Sequence, residues 1–187
     1  MAREAKAEKD FLKAYFNVLK NRPFVIVLFG YALNLIGLTF LQTSIPYYFN
    51  YVYKDWPGIS NAEALQTYAG IGVGFGYVAP YAMVPDTIEV DAARTGKRNE
   101  GAFYGMYLYM SKIGQAVAWQ VGLLVLSLGH YVANAAQAES AKLAIRLLVG
   151  PLPAVVLLGA LVLVQFYPLD EKTYEAIMAK AAEPEGR

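Results

Sequence analysis

Four long apolar stretches alternate with polar ones along the chain. The first lies near 23–49 and runs FVIVLFGYALNLIGLTF from Phe24 to Phe40 without a charge. A bilayer crossing needs about 20 apolar residues at about 1.5 Å rise each, so this stretch is long enough, and Pro23 at its start costs no helical hydrogen bond. The second, near 65–85, is also uncharged but holds Gly70, Gly72, Gly74, Gly76 and Pro80. In water each glycine would weaken a helix by about 1 kcal/mol relative to alanine. In a membrane, the four-residue spacings Gly70/Gly74 and Gly72/Gly76 let a neighbouring helix approach closely. The third, near 101–128, contains one charge, Lys112. The fourth, near 147–167, has Pro151 and Pro153 in its first turns, where they do least harm. The pattern predicts an all-α integral membrane protein with about four transmembrane helices in a single membrane domain, 1–187.

The polar segments set its orientation. Arg3, Lys6, Lys9, Lys13, Lys20 and Arg22 precede the first stretch; Arg94, Lys97 and Arg98 separate the second from the third; Lys172, Lys180 and Arg187 follow the fourth. The other two connections hold only Lys54, then Lys142 and Arg146. Basic loops stay inside, so four crossings put both termini in the cytoplasm. Segment 1–22 reads as an amphipathic cytoplasmic lead-in without the apolar core of a signal peptide. Segment 134–146 reads as a short external helix feeding the last span, and 168–187 as a cytoplasmic tail with a helix over 170–180.

Composition agrees. Hydrophobic residues make up 57% and charged residues 17%, against roughly 45–50% and 25% in soluble domains. There is no cysteine, which excludes disulfides and thiolate metal sites. The net charge is +1, and with no basic, aromatic-laced patch there is no case for nucleic acid. The run GIGVGFG, Gly70 to Gly76, fits neither phosphate-loop spacing. The lone His130 has no nucleophile at triad spacing, so no enzyme is expected.

Two clusters carry candidate chemistry. Asp86, Glu89, Asp91 and Glu100 lie among Arg94, Lys97 and Arg98. Such charges can form interhelical ion pairs that close one face of a pore, or can be a solvated loop worth at most about 1 kcal/mol per pair. Lys112 lies roughly 16 Å into its helix by rise. A charge there costs at least about 2.5–3.5 kcal/mol, so it should face an aqueous cavity or a partner, or else snorkel outward. Tyr104, Leu108, Lys112, Gln115 and Trp119 recur at three- and four-residue steps, forming a part-polar, part-aromatic face suited to a solute pathway. Asn34 and Gln42 are further polar groups that lipid cannot satisfy.

The stretch MVPDTIEVDAARTGKRNEGAFYG, Met83 to Gly105, resembles the loop between the tenth and eleventh helices of the glycoside–pentoside–hexuronide cation symporters, the melibiose-permease branch of the major facilitator superfamily. SKIGQA, Ser111 to Ala116, resembles the following part of their eleventh helix. Phe11 to Tyr53 resembles the seventh helix with its lead-in, and the final span the twelfth. The resemblance implies part of the C-terminal six-helix bundle of a twelve-span transporter, passing from the seventh to the tenth helix between Tyr53 and Leu65. It implies that Asp86, Glu89 and Arg98 belong to a cytoplasmic charged network, and that Lys112 lies near the substrate and cation pathway. It implies a small solute such as a sugar or glycoside, and a coupling cation, sodium or proton, with no other cofactor. The acidic cation ligands of these symporters belong to the first half, and no residue here matches them. Two functions follow: a shortened cation-coupled porter that needs self-association or a complementary half, or a non-transporting membrane subunit or remnant of one.

Overall fold

The computed structural model describes residues 13, 15–53 and 62–182. Every regular element among them is a helix. Helix α1, Arg22–Tyr47, runs on into one wide π-helical turn, Tyr48–Tyr53; α2 spans Ala62–Thr95 and α3 Glu100–Leu128. Then come α4, Glu139–Val149, α5, Pro151–Val164, and α6, Glu171–Ala182.

Helix α1 is the hub, packing against α2, α3, α4 and α5. Its sequence is apolar all round, the signature of a helix buried on every side. Of its most apolar 18-residue stretch 61% is buried, against 17% for α3 and for α4–α5. The outer helices therefore bury one stripe and present the rest outward. Asn21 starts α1: its Oδ1 accepts from the Phe24 amide at 3.2 Å, with proline following in the first turn. Its Nδ2 donates to the Thr87 carbonyl and to Asp91 Oδ1, both at 3.4 Å, tying the start of α1 to α2.

The core at this end is aromatic. Phe24 meets Phe103 edge-on at 4.6 Å, and Tyr31 stacks on Tyr107 at 4.1 Å. Tyr81 of α2 closes the group, edge-on to Tyr107 at 5.3 Å. At the other end Tyr47, Tyr51 and Tyr131 form a second cluster, in which the Tyr131 hydroxyl donates to that of Tyr51 at 3.3 Å.

Among the described residues, three apolar helical runs are long enough to cross a bilayer: Arg22–Tyr53, Glu100–Leu128 and Glu139–Val164. The protein is thus a multi-pass membrane protein. The stretch expected to span near 65–85 is helical but falls short in apolarity, because glycine and tyrosine dilute it. Its helix also extends ten residues further than expected, to Thr95, where Gly96 turns the chain at φ +67°. The charged stretch is therefore mostly helix, and the loop is short. The fourth stretch also differs from expectation. Residues 134–138 are not helical, α4 runs from Glu139 past Leu147, and the chain breaks at Gly150 before Pro151 starts α5. Proline offers no amide to the preceding turn, which accounts for the break. The tail helix forms as expected, capped by Asp170, whose carboxylate accepts from the Thr173 amide at 2.9 Å and is held below the usual range by that bond. Most of the lead-in, 1–12 and residue 14, lies outside the described residues.

Candidate functional site

Helix α3 positions the predicted solute face. Phe103, Tyr107, Ser111, Gly114 and Ala118 form its buried stripe against α1. Tyr104, Leu108, Lys112, Gln115 and Trp119 lie together on the flank beside that stripe. Lys112 is exposed and Gln115 half-buried; Tyr104 is 38% and Trp119 56% exposed. The structure therefore brings these five residues onto one face, and that face opens outward. Its far end meets a cleft of about 30 Å³, room for one or two waters, where Trp119 faces Thr43, Ser44 and Tyr47 of α1. Thr43 returns its hydroxyl to the Thr39 carbonyl at 2.8 Å.

Sequence reasoning did not single out Tyr31, Tyr81 and Tyr107, which join α1, α2 and α3 next to this flank. The Tyr107 hydroxyl is buried without a hydrogen-bond partner among the described residues. Their signal was present in the abundance of tyrosine, 15 residues, but no periodicity links three different helices. Gln42, expected to need an outside partner, accepts from the Tyr77 hydroxyl at 3.2 Å within the chain.

The charged residues between Asp86 and Glu100 are arranged differently from interlocking ion pairs. Among the described residues one pair forms in this cluster, Arg98 Nε to Glu100 Oε1 at 2.9 Å, with both side chains more than half exposed. It is a local pair across the loop. The acids on α2 bind uncharged partners on other segments: Asp91 accepts from Asn21, and Glu89 accepts from the Tyr174 hydroxyl of α6. Glu89 pushes the Tyr174 phenol up to about 12. Partial burial, reinforced by Glu89, holds the Asp86 carboxyl above its ordinary value. Arg94 makes no ion pair with any described residue. The cluster thus joins α2 to the lead-in and the tail through hydrogen bonds rather than salt bridges.

Of the expected packing glycines, Gly74 is exposed, with open space where a Cβ would stand. The surroundings of Gly70, Gly72 and Gly76 lie outside the described residues. Close packing uses other glycines. A Cβ on Gly37 would stand 2.6 Å from Leu157, one on Gly114 would stand 3.2 Å from the Ala32 carbonyl, and one on Gly129 would stand 2.6 Å from the Ala144 Cβ.

The profile of the MFS/sugar transport protein family matches residues 62–171. An uncharacterized symporter of Synechocystis is 38% identical over 119 residues, 60% of this chain and 22% of the relative. The glucuronide carrier protein homolog of Escherichia coli is 32% identical over 112 residues, 60% of this chain and 24% of the relative. A sphingosine-1-phosphate transporter of Xenopus tropicalis is 27% identical over 108 residues, 56% and 21%. The matched region thus spans about a quarter of these relatives. No solved structure matches.

Proposed function

The chain belongs to the MFS/sugar transport protein family, and on that premise we propose that it forms the solute-lining part of a cation-coupled sugar or glycoside symporter. A second copy or a complementary half completes it. The observation that carries this reading is the flank of α3, where Lys112, Gln115, Tyr104 and Trp119 share one face that opens outward. An ammonium in a span demands a partner or water, amide and phenol groups bond hydroxyls, and an indole stacks on a sugar ring. Two relatives named for a glucuronide carrier and a sulfoquinovose importer support an acidic sugar, whose anionic group Lys112 would neutralise.

In this reading the chain lies in the cell membrane with both termini in the cytoplasm, and α2 crosses as the second of four spans with its glycine face against the completing helices. The Gly74 position supports that role, since it is open on this chain. Sodium or a proton supplies the coupling. Uptake of labelled glucuronide into liposomes holding the purified chain, with an inward sodium or proton gradient, tests the proposal. Gradient-dependent uptake that falls at least tenfold in Lys112→Ala is expected. Gradient-independent leakage, or no uptake even when a complementary half is co-reconstituted, would favour the non-transporting subunit instead.

A further inference from the structure

A basic cup lies where α1 begins and α2 ends. Its volume is about 470 Å³, and Lys20, Arg22, Arg94 and Lys97 line it together with one acid, Asp91. Four cations against one carboxylate leave the lining at a formal +3 (4 − 1), and Asp91 is already engaged by Asn21 at 3.4 Å. None of the four bases forms an ion pair with a described residue. They come from two segments distant in sequence, residues 20–22 and 94–97, which the Asn21 bonds to Thr87 and Asp91 hold together.

The depth of the cup narrows the choice of anion. The charge-free run of α1 starts immediately after Arg22, at Pro23, and the apolar run of α3, interrupted only by Lys112, starts at Gly101, four residues past Lys97. The cup therefore sits at the rim of the hydrocarbon, at head-group level, on the side that the basic segments assign to the cytoplasm. Basic pockets at this depth bind anionic head groups, and each lysine or arginine near such a surface adds about 1 kcal/mol, or roughly fivefold in affinity.

We propose that this cup binds the phosphate of an anionic phospholipid of the cytoplasmic leaflet, with the acyl chains lying along α1 and α2. The site is separate from the solute flank of α3 and rests on the membrane topology, not on transport. A bound phosphodiester, carrying one negative charge, would offset part of the +3 lining and tie residues 20–22 to the end of α2.

Native mass spectrometry of the full chain in mild detergent, titrated with short-chain phosphatidylglycerol, phosphatidylcholine or inorganic phosphate, tests it. Wild type should retain phosphatidylglycerol over phosphatidylcholine. The double variant Arg94→Gln with Lys97→Gln should weaken that retention by about twenty-five-fold, from two bases at about fivefold each. Lys172→Gln removes the same kind of charge from α6, outside the cup, and should leave retention unchanged. Asp91→Asn should tighten it several-fold, a gain that a misfolded variant cannot mimic. Equal losses in Lys172→Gln and in each single cup variant would overturn the site in favour of diffuse attraction. Inorganic phosphate binding as tightly as phosphatidylglycerol would overturn the lipid as its source, and unchanged retention in the double variant would overturn the proposal outright.

Discussion

Replacing Gly114 with alanine tests whether α3 is seated on α1 by backbone contact. A Cβ there would stand 3.2 Å from the Ala32 carbonyl oxygen and 3.7 Å from the Ala32 Cα. The obstacle is backbone of the hub helix, so relief requires the two helices to part by a few tenths of an ångström. That movement would loosen the Tyr31–Tyr107 stack and the buried stripe from Phe103 to Ala118. The same substitution at Gly122, two turns further along α3, meets nothing within 4 Å. Both variants gain helix propensity, up to about 1 kcal/mol, so their difference isolates the packing cost. Overpacking costs about 1–3 kcal/mol, and a shortfall of a few tenths of an ångström belongs at the lower end. Gly114→Ala should therefore lie about 1 kcal/mol below Gly122→Ala, or about 2–4 °C in Tm for a chain of this size. Thermal unfolding of the purified variants in one detergent, followed by circular dichroism, measures it. Equal Tm values for the two variants would refute a backbone-limited approach of α3 to α1.

Gly129→Ala should lose more than Gly114→Ala, about 2–3 kcal/mol, because its Cβ would overlap that of Ala144 at 2.6 Å; the same thermal assay checks it. Asp86→Asn should raise Tm at pH 7 but not below about pH 4. The raised Asp86 pKa makes the protonated acid the stable form in the fold, so wild type loses stability as pH rises through that value, and asparagine does not; Tm against pH reads the crossover. Cysteines at Gly96 and Ala138 should label with an impermeant maleimide from opposite sides of the membrane, and labelling of position 96 from outside intact cells would overturn the four-span topology. Gly74→Leu should shift the purified protein from dimer or larger toward monomer in light scattering corrected for detergent, and an unchanged mass would remove the glycine face from assembly.

The helices of this chain were legible in its sequence where an apolar run is long and dense enough to admit one interpretation, as at 24–40 and 101–128. The third run, 101–128, matches α3 to within a residue. Boundaries failed where charge was taken for a loop. Residues Asp86 to Arg94 contain no glycine or proline, so α2 continues through them until Gly96 supplies a positive φ. Charge reports depth in the membrane and says little about backbone conformation. That Tyr104, Leu108, Lys112, Gln115 and Trp119 share one face was legible because they lie on a single helix, where three- and four-residue steps specify a face. The tyrosine cluster of α1, α2 and α3 was not, since contacts among distant segments leave no period. The acids on α2, for which the sequence left ion pairs and a solvated loop both open, found amide and phenol partners instead, at Asn21 and Tyr174, because those groups sit on segments the topology folds back against α2.

The wide turn at Tyr48–Tyr53 sets the phase of the chain at the end remote from Asn21. An α-helix advances each side chain by about 100°. A turn closed five residues back rather than four takes in one residue more, and every position after it is swung round by that amount. Tyr47, just before the turn, and Tyr51, within it, both meet Tyr131, at 5.4 and 5.7 Å. The turn acts as a vernier: the membrane-buried length of α1 keeps one angular setting while its aromatic end takes another. Deleting one residue from 48–50 would restore ordinary pitch and shift the register of the residues after it, without disturbing the contacts of Phe24, Tyr31 or Leu35. Natural insertions and deletions at this turn would thus re-aim the far rim of the helix while its packed interior stayed as it is.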